Sequence, residues 1–213
     1  MVRFQPNPLA ASFACAESVP PITRGCRPPE LCSNTTVPTE TIPGSSVLEH
    51  WNALAPDAAA AEILPCCGSA AWAAALAAKR PIADDATLLA LSDSIWRSLP
   101  KDAWQQAFDS HPRLGERHAK AATATSLSWS SQEQALVTKA GAEPAEALRE
   151  ANLRYEQRFN RIFILCANGR TPPEILAALE ARMHNDAETE WLEAGEQQRQ
   201  ITQLRLKRWL GAN

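Results

Sequence analysis

His111 stands directly before Pro112 in the polar stretch Asp109-Ser110-His111-Pro112-Arg113-Leu114-Gly115-Glu116. Proline excludes its predecessor from the α region, so the spacing predicts a helix that stops here with His111 held extended. A histidine fixed in a polar loop and titrating near neutral pH is suited to proton transfer. The plainer alternative is a helix stop followed by a surface loop.

Three other places carry groups able to join such chemistry. On the last helix, an advance of about 100° per residue gathers Ala194, Ile201, Leu204 and Trp209 into an apolar face with Arg205 near its middle. An inward cation needs a partner. It is either one half of an internal ion pair or a guanidinium fork aimed at an anionic ligand. The run Ser130-Ser131-Gln132-Glu133-Gln134 has the Ser-x-x-Glu form of a capping box. That predicts a helix starting at Ser130, whose free N–H groups can also meet an anion. The segment Phe163-Ile164-Leu165-Cys166-Ala167-Asn168-Gly169-Arg170 reads as a buried helix end with a glycine cap. Apolar neighbours should raise the Cys166 thiol and leave it inert.

The six cysteines, Cys15, Cys26, Cys32, Cys66, Cys67 and Cys166, form no Cys-x-x-Cys pair, and the four histidines have no zinc-ligand spacing. They are read as reduced packing residues of a cytoplasmic protein, with no metal site. A formal net charge of −3 argues against nucleic acid or anionic membrane as a partner, and no apolar run is long enough to span a bilayer.

The elements that must position these groups are helices. From Val47 onward, Gly and Pro fall at breaks and β-branched alternation is absent, so the fold class expected is all-α. It should form one compact multi-helix domain of about eight helices over 46–210. Leu148, Ala151, Tyr155, Phe159, Ile162 and Cys166 recur at spacings of three and four, which predicts one long helix ended by Asn168-Gly169. Further helices are expected from Pro173 to Met183 and from Ala187 to Trp209. Residues 1–45 differ. They hold eight of the sixteen prolines, and Arg3, Arg24 and Arg27 cancel Glu17, Glu30 and Glu40. Such a tail cannot bury enough apolar surface to offset its ordering entropy and is expected to be disordered. No apolar core follows its charged start, so it does not read as a secretory signal.

In order and spacing these motifs resemble the 2-oxo-4-hydroxy-4-carboxy-5-ureidoimidazoline (OHCU) decarboxylases of purine breakdown. The resemblance runs from Leu48-Glu49-His50-Trp51 through Cys66-Cys67-Gly68-Ser69, Arg80-Pro81, His111 to Ala119, Ser130 to Gln134, Tyr155 to Phe159 and Phe163 to Arg170, ending near Leu206. It implies a decarboxylase that forms (S)-allantoin and CO2 from OHCU and works as a homodimer. No cofactor is implied, because the substrate's own ring can spread the electron pair that CO2 leaves behind. It also implies His111, Glu133 and Arg205 as catalytic residues. Pro112, Ser130, Gln134 and the segment Phe163, Ile164, Leu165, Cys166 and Ala167 would contact the substrate. Two alternatives stay open. One is a non-catalytic helical interaction module, in which His111, Glu133 and Arg205 do not converge. The other is a related decarboxylase acting on another ureido or imidazoline acid. The tail lies outside the resemblance, so deleting residues 2–44 is expected to leave steady-state turnover within about tenfold of the full chain's. A larger loss would make the tail part of the site.

Overall fold

Short polar side chains and prolines start most of the helices. Ser45 accepts the Leu48 N–H, Asp84 the Thr87 N–H, Thr123 the Ser126 N–H, and Asp186 the N–H groups of Glu188 and Thr189. Pro56 opens another helix, where its missing N–H costs nothing. The structure, a computed structural model, describes residues 45–114, 122–135 and 142–211. Among the described residues there are nine helices and no strand. They are α1 (Ser46–Ala53), α2 (Pro56–Cys67), α3 (Ala70–Ala77), α4 (Asp85–Ser98), α5 (Lys101–Asp109), α6 (Ala124–Glu133), α7 (Ala142–Phe159), α8 (Pro172–Arg182) and α9 (Ala187–Trp209). These residues lie in one compact unit, 41–213. None of these helices is long and apolar enough to cross a membrane. The tail before Ser45, with Cys15, Cys26 and Cys32, lies outside the described residues, as do Gly115 to Ala121 of the His-Pro motif.

Apolar side chains collect in two clusters. The larger joins α1 to α5 with the inner face of α9, and includes Trp51, Ile63, Trp72, Leu76, Leu88, Phe108 and Leu206. The smaller joins α7, α8 and the chain between them through Leu148, Tyr155, Phe159, Phe163, Ile175 and Leu179. The expected stripe on α7 is present in Leu148, Ala151, Tyr155 and Phe159, all buried. It does not continue to Ile162 and Cys166. The helix stops at Phe159 because Asn160 takes the left-handed conformation (φ 52°), which asparagine tolerates better than most residues. Gly169 is also left-handed (φ 77°), but it turns a non-helical segment into α8 and does not cap α7.

A second correction concerns the capping box. Ser130 and Glu133 lie in the last turn of α6, which starts seven residues earlier at its Thr123 cap. Among the described residues, a capping box of this kind forms at Thr171-Pro172-Pro173-Glu174, where Glu174 accepts the Thr171 N–H at 2.7 Å.

Three indoles fix α5 against α9. Trp104 stacks on Trp96 with centroids 4.9 Å apart and on Trp191 at 6.1 Å. Trp104 Nε1 donates to the Trp96 carbonyl, and Trp96 Nε1 donates to the Gly195 carbonyl of α9. Gly195 leaves room for the ring, because a Cβ there would lie 2.2 Å from Trp104 Cζ3. Helix propensity and packing therefore oppose each other at this position. Alanine should gain about 1 kcal/mol from propensity, but the ring is held on both faces and cannot yield, so overpacking of about 1–3 kcal/mol should win. Gly195→Ala is expected to lower the urea midpoint. A raised midpoint would show that the indole stack gives way freely.

Candidate active site

Four pieces of chain converge where the two apolar clusters meet. The first is the end of α5. Ser110 donates to the Ala107 carbonyl and packs on Gly68, whose absent Cβ would sit 2.1 Å from Ser110 Oγ. His111 and Pro112 follow from that anchored residue. The second piece is the last turn of α6, carrying Ser130, Glu133 and Gln134. The third is the inward face of α9, with Ile201 and Arg205. The fourth is the non-helical chain after Asn160, which supplies Phe163, Ile164, Leu165 and Ala167. Together with Leu114, they enclose a pocket whose free volume is about 20 Å³, room for roughly one water-sized group. A larger cavity of about 220 Å³ adjoins it and shares His111, with Asp109, Arg113, Glu156, Asn160, Arg161 and Ile162 around it.

Arg205 is 1% exposed and forms the ion pair that a buried cation requires. Its Nε and Nη2 reach the two oxygens of Glu133 at 3.0 and 2.9 Å, a bidentate fork. Nη2 also donates to Ser130 Oγ at 2.9 Å, and Nη1 to the Pro65 carbonyl at 3.4 Å. A second guanidinium, that of Arg208, stands 3.6 Å from Glu133 Oε1. Two cations thus face one carboxylate, and the group carries one net positive charge.

The electrostatics of His111 differ from the sequence expectation of a group titrating near neutrality. The residue as a whole is only partly buried, yet its Nε2 is sealed from solvent and has no hydrogen-bond partner. Burial and the nearby Arg205 charge push its pKa down to about 3, against a smaller opposing effect of Gln198. The imidazole is therefore neutral at pH 7. Among the described residues, the cysteines follow the packing expectation. Cys66 and Cys67 are buried, with Cys67 pushed up to about 12 by burial. Burial also raises Cys166.

Most of the residues singled out in the sequence meet here. His111, Pro112, Ser130, Glu133, Gln134, Phe163, Ile164, Leu165 and Ala167 line the pocket. Arg205 acts on it from behind, through Glu133 and Ser130. Cys166 does not line it. Its side chain borders a separate cleft with Arg199 and Lys207, and its N–H donates to Gln197 Oε1 at 3.0 Å. The α9 face is also rotated from the sequence expectation: Thr202 and Leu206 are buried, whereas Leu204 and Trp209 are only partly so. Leu114, Ile201 and Gln198 were not singled out as site residues. Ile201 and Gln198 share the inward face of α9 with Arg205, so the wheel held their signal.

The non-helical wall is held by a second buried network. Glu190, fully buried, takes a forked contact from Arg182, with Nε at 3.0 Å from Oε1, and also accepts the Tyr155 hydroxyl and Asn185 Nδ2. Burial first, then the Glu190 carboxylate, keep the Tyr155 phenol protonated. The remaining Arg182 nitrogen, Nη1, donates to the Ile164 carbonyl at 2.8 Å, which sets the backbone of the pocket wall.

Residues 52–207 match the family described as OHCU decarboxylase. The chain is 33% identical to 2-oxo-4-hydroxy-4-carboxy-5-ureidoimidazoline decarboxylase of Amia calva over 63% of its own length and 77% of that protein's. It is 30% identical to the uric acid degradation bifunctional protein TTL of Arabidopsis thaliana over 66% of its length, but this spans only 44% of the plant protein. Among solved structures, the crystal structure of OHCU decarboxylase in the presence of (S)-allantoin superposes with a TM-score of 0.61 at 29% identity. That match covers 70% of this chain and 97% of the other.

The depressed His111 pKa makes stability depend on acid in a defined direction. The unfolded imidazole takes a proton near pH 6.5, the folded one near 3. The contribution is therefore complete above about pH 6.5 and is lost as pH falls toward 3. Between pH 6.5 and 4.5 the wild type should lose about 1 kcal/mol per pH unit more than His111→Gln, measured by urea unfolding. Parallel pH profiles would mean that the folded imidazole titrates as freely as the unfolded one.

Proposed function

This chain belongs to the OHCU decarboxylase family, and we propose that it removes the carboxyl group of OHCU to give (S)-allantoin and CO2 in urate degradation. The observation that carries this reading is the meeting of an imidazole and a carboxylate in one pocket, the carboxylate paired with a guanidinium behind it, fed from four separate stretches of chain. An interaction module has no need of that convergence.

The roles follow from charge and protonation. OHCU is an anion, and the group of Arg205, Arg208 and Glu133 has one positive charge to spare. Arg205 draws the substrate carboxyl toward Ser130. Glu133 uses both oxygens to hold the Arg205 fork in place, so it orients and does not exchange the proton. His111 enters neutral and acts as the base. It takes the proton of the 4-hydroxyl as the bond between ring carbon 4 and the carboxyl breaks. The electron pair of that bond flows to carbon 5 and displaces its imine pair onto the ring nitrogen, which takes one proton from solvent, and CO2 departs. The imidazolium then returns the proton to carbon 5 from one face, which sets the handedness of the allantoin. Gln134 and the backbone of Phe163, Ile164, Leu165 and Ala167 hold the ureido and ring amides. Cys166 contributes backbone only. The reaction asks for positioning and for the relay of one substrate proton, which side chains of this chain supply, and for one further proton, which solvent supplies. A homodimer and a cytoplasmic setting belong to the same proposal.

Freshly prepared OHCU, with chiral allantoin followed by circular dichroism, tests the reading. His111→Gln is expected to lose about 100-fold or more in turnover with its helix content unchanged. Glu133→Gln should lose less in chemistry but weaken substrate binding, because the Arg205 fork is no longer held. Wild-type turnover in His111→Gln would remove the base from the mechanism. No allantoin from the wild type would move the activity to another ureido acid.

A further inference from the structure

The buried polar atoms that lack a hydrogen-bond partner include Nε2 of His111 and Oε1 of Gln198. The fold brings them to one place. Ser110 is locked against Gly68, so His111, the next residue, leaves from the end of α2. Cys67, the residue before Gly68, uses its carbonyl to accept a hydrogen bond from Gln198 Nε2 at 3.2 Å. Thr202 Oγ1 accepts from the same nitrogen at 3.3 Å. With its nitrogen committed to two acceptors, the fully buried amide has a fixed orientation, and only its oxygen is left to act. That oxygen belongs to the face of α9 that also presents Ile201, which lines the pocket with His111. Gln198 also favours the protonated form of this imidazole. An unpaired acceptor and an unpaired ring nitrogen are each costly when buried, and pairing them satisfies both.

We propose that Gln198 is the positioning residue of His111: its Oε1 accepts the Nε2–H of the imidazole and leaves Nδ1 as the nitrogen that takes the proton. Of the two ring nitrogens only Nε2 is both sealed and unpaired, so the tautomer that places the proton there is the one the protein can satisfy. When Nδ1 takes a proton, the same acceptor keeps its partner, and the ring does not have to turn during the reaction. The inference deepens the decarboxylase reading and rests on it for the role of the ring, but not for the pairing.

Long-range proton–nitrogen correlation on the ¹⁵N-labelled full chain reads the tautomer of His111 without substrate, and His111→Gln identifies its signals. The wild type should show the Nε2–H form alone. Gln198→Leu should show a mixture of tautomers and a kcat lower by about tenfold, with far-UV circular dichroism unchanged. Gln198→Glu keeps the shape of the side chain and places a carboxylate beside the ring, so His111 should take a proton at higher pH than in the wild type. An Nδ1–H form in the wild type overturns the proposal. So does an unchanged tautomer in folded Gln198→Leu. If that variant does not fold, an unchanged titration in Gln198→Glu overturns it equally. The expected tautomers in a protein that turns over no OHCU would leave the pairing standing and sink the decarboxylase reading instead.

Discussion

A guanidinium that is 1% exposed on the inward face of a helix must be neutralised where it stands. Arg205 imposes that condition on this fold, and much of the pocket follows from it. Glu133 has to bring both oxygens to the fork, which requires the last turn of α6 to lie against α9. Ser130, one turn earlier on α6, fills a further donor, and the Pro65 carbonyl of α2 takes Nη1. Removing one partner of such a pair costs roughly 3–5 kcal/mol, whereas the intact pair adds little net stability over an apolar equivalent. The pair therefore specifies arrangement more than it stabilises. Its by-product is a polar wall made of Ser130, Glu133 and Gln134, set opposite an imidazole.

The other wall obeys the same rule with a second pair. Glu190 has no exposed surface and is held by the Arg182 fork, Tyr155 and Asn185. The cation in turn uses Nη1 on the Ile164 carbonyl. This explains why the chain after Asn160 is not helical although the apolar spacing continues through it. A helix would have to bond its own carbonyls and N–H groups internally. Here the Ile164 carbonyl is claimed by Arg182 and the Cys166 N–H by Gln197. A buried charge on α8 and an amide on α9 thereby hold the strip of backbone that closes the pocket.

That competition marks the limit of what could be read from the residues. Helices bounded by local chemistry were legible: the stop at His111-Pro112, the start of α9 at Ala187, and the bounds of α8 to within one residue. The inward cation at Arg205 was legible because one residue on a wheel is enough to pose the problem. The long stripe misled because spacings of three and four persist through Ile162 and Cys166, while the left-handed Asn160 that ends the helix carries no strong signal of its own. Ser130 and Glu133 fit a capping pattern by type, but their oxygens are taken by a residue more than 70 positions away. The neutral state of His111 was invisible for the same reason, since it depends on burial that only the assembled helices create. Long-range claims on polar groups override local preference, and they cluster at the site.

The same charges give the proposed reaction its order. Before an anion arrives, Arg205 and burial together oppose any charge on His111. A bound carboxylate offsets part of the Arg205 field, and the imidazole becomes a better base only when there is a substrate to act on. Loss of CO2 reverses this. The carboxylate charge leaves, the full field of the cation returns, and an imidazolium in a sealed pocket is again unfavourable. The proton is then driven off the ring, and the electron-rich ring carbon is the acceptor at hand. One buried cation can thus favour binding of the anion and later expel the proton, provided that its own position does not change between the two steps. The bidentate hold of Glu133, with Ser130 and the Pro65 carbonyl behind it, supplies that immobility.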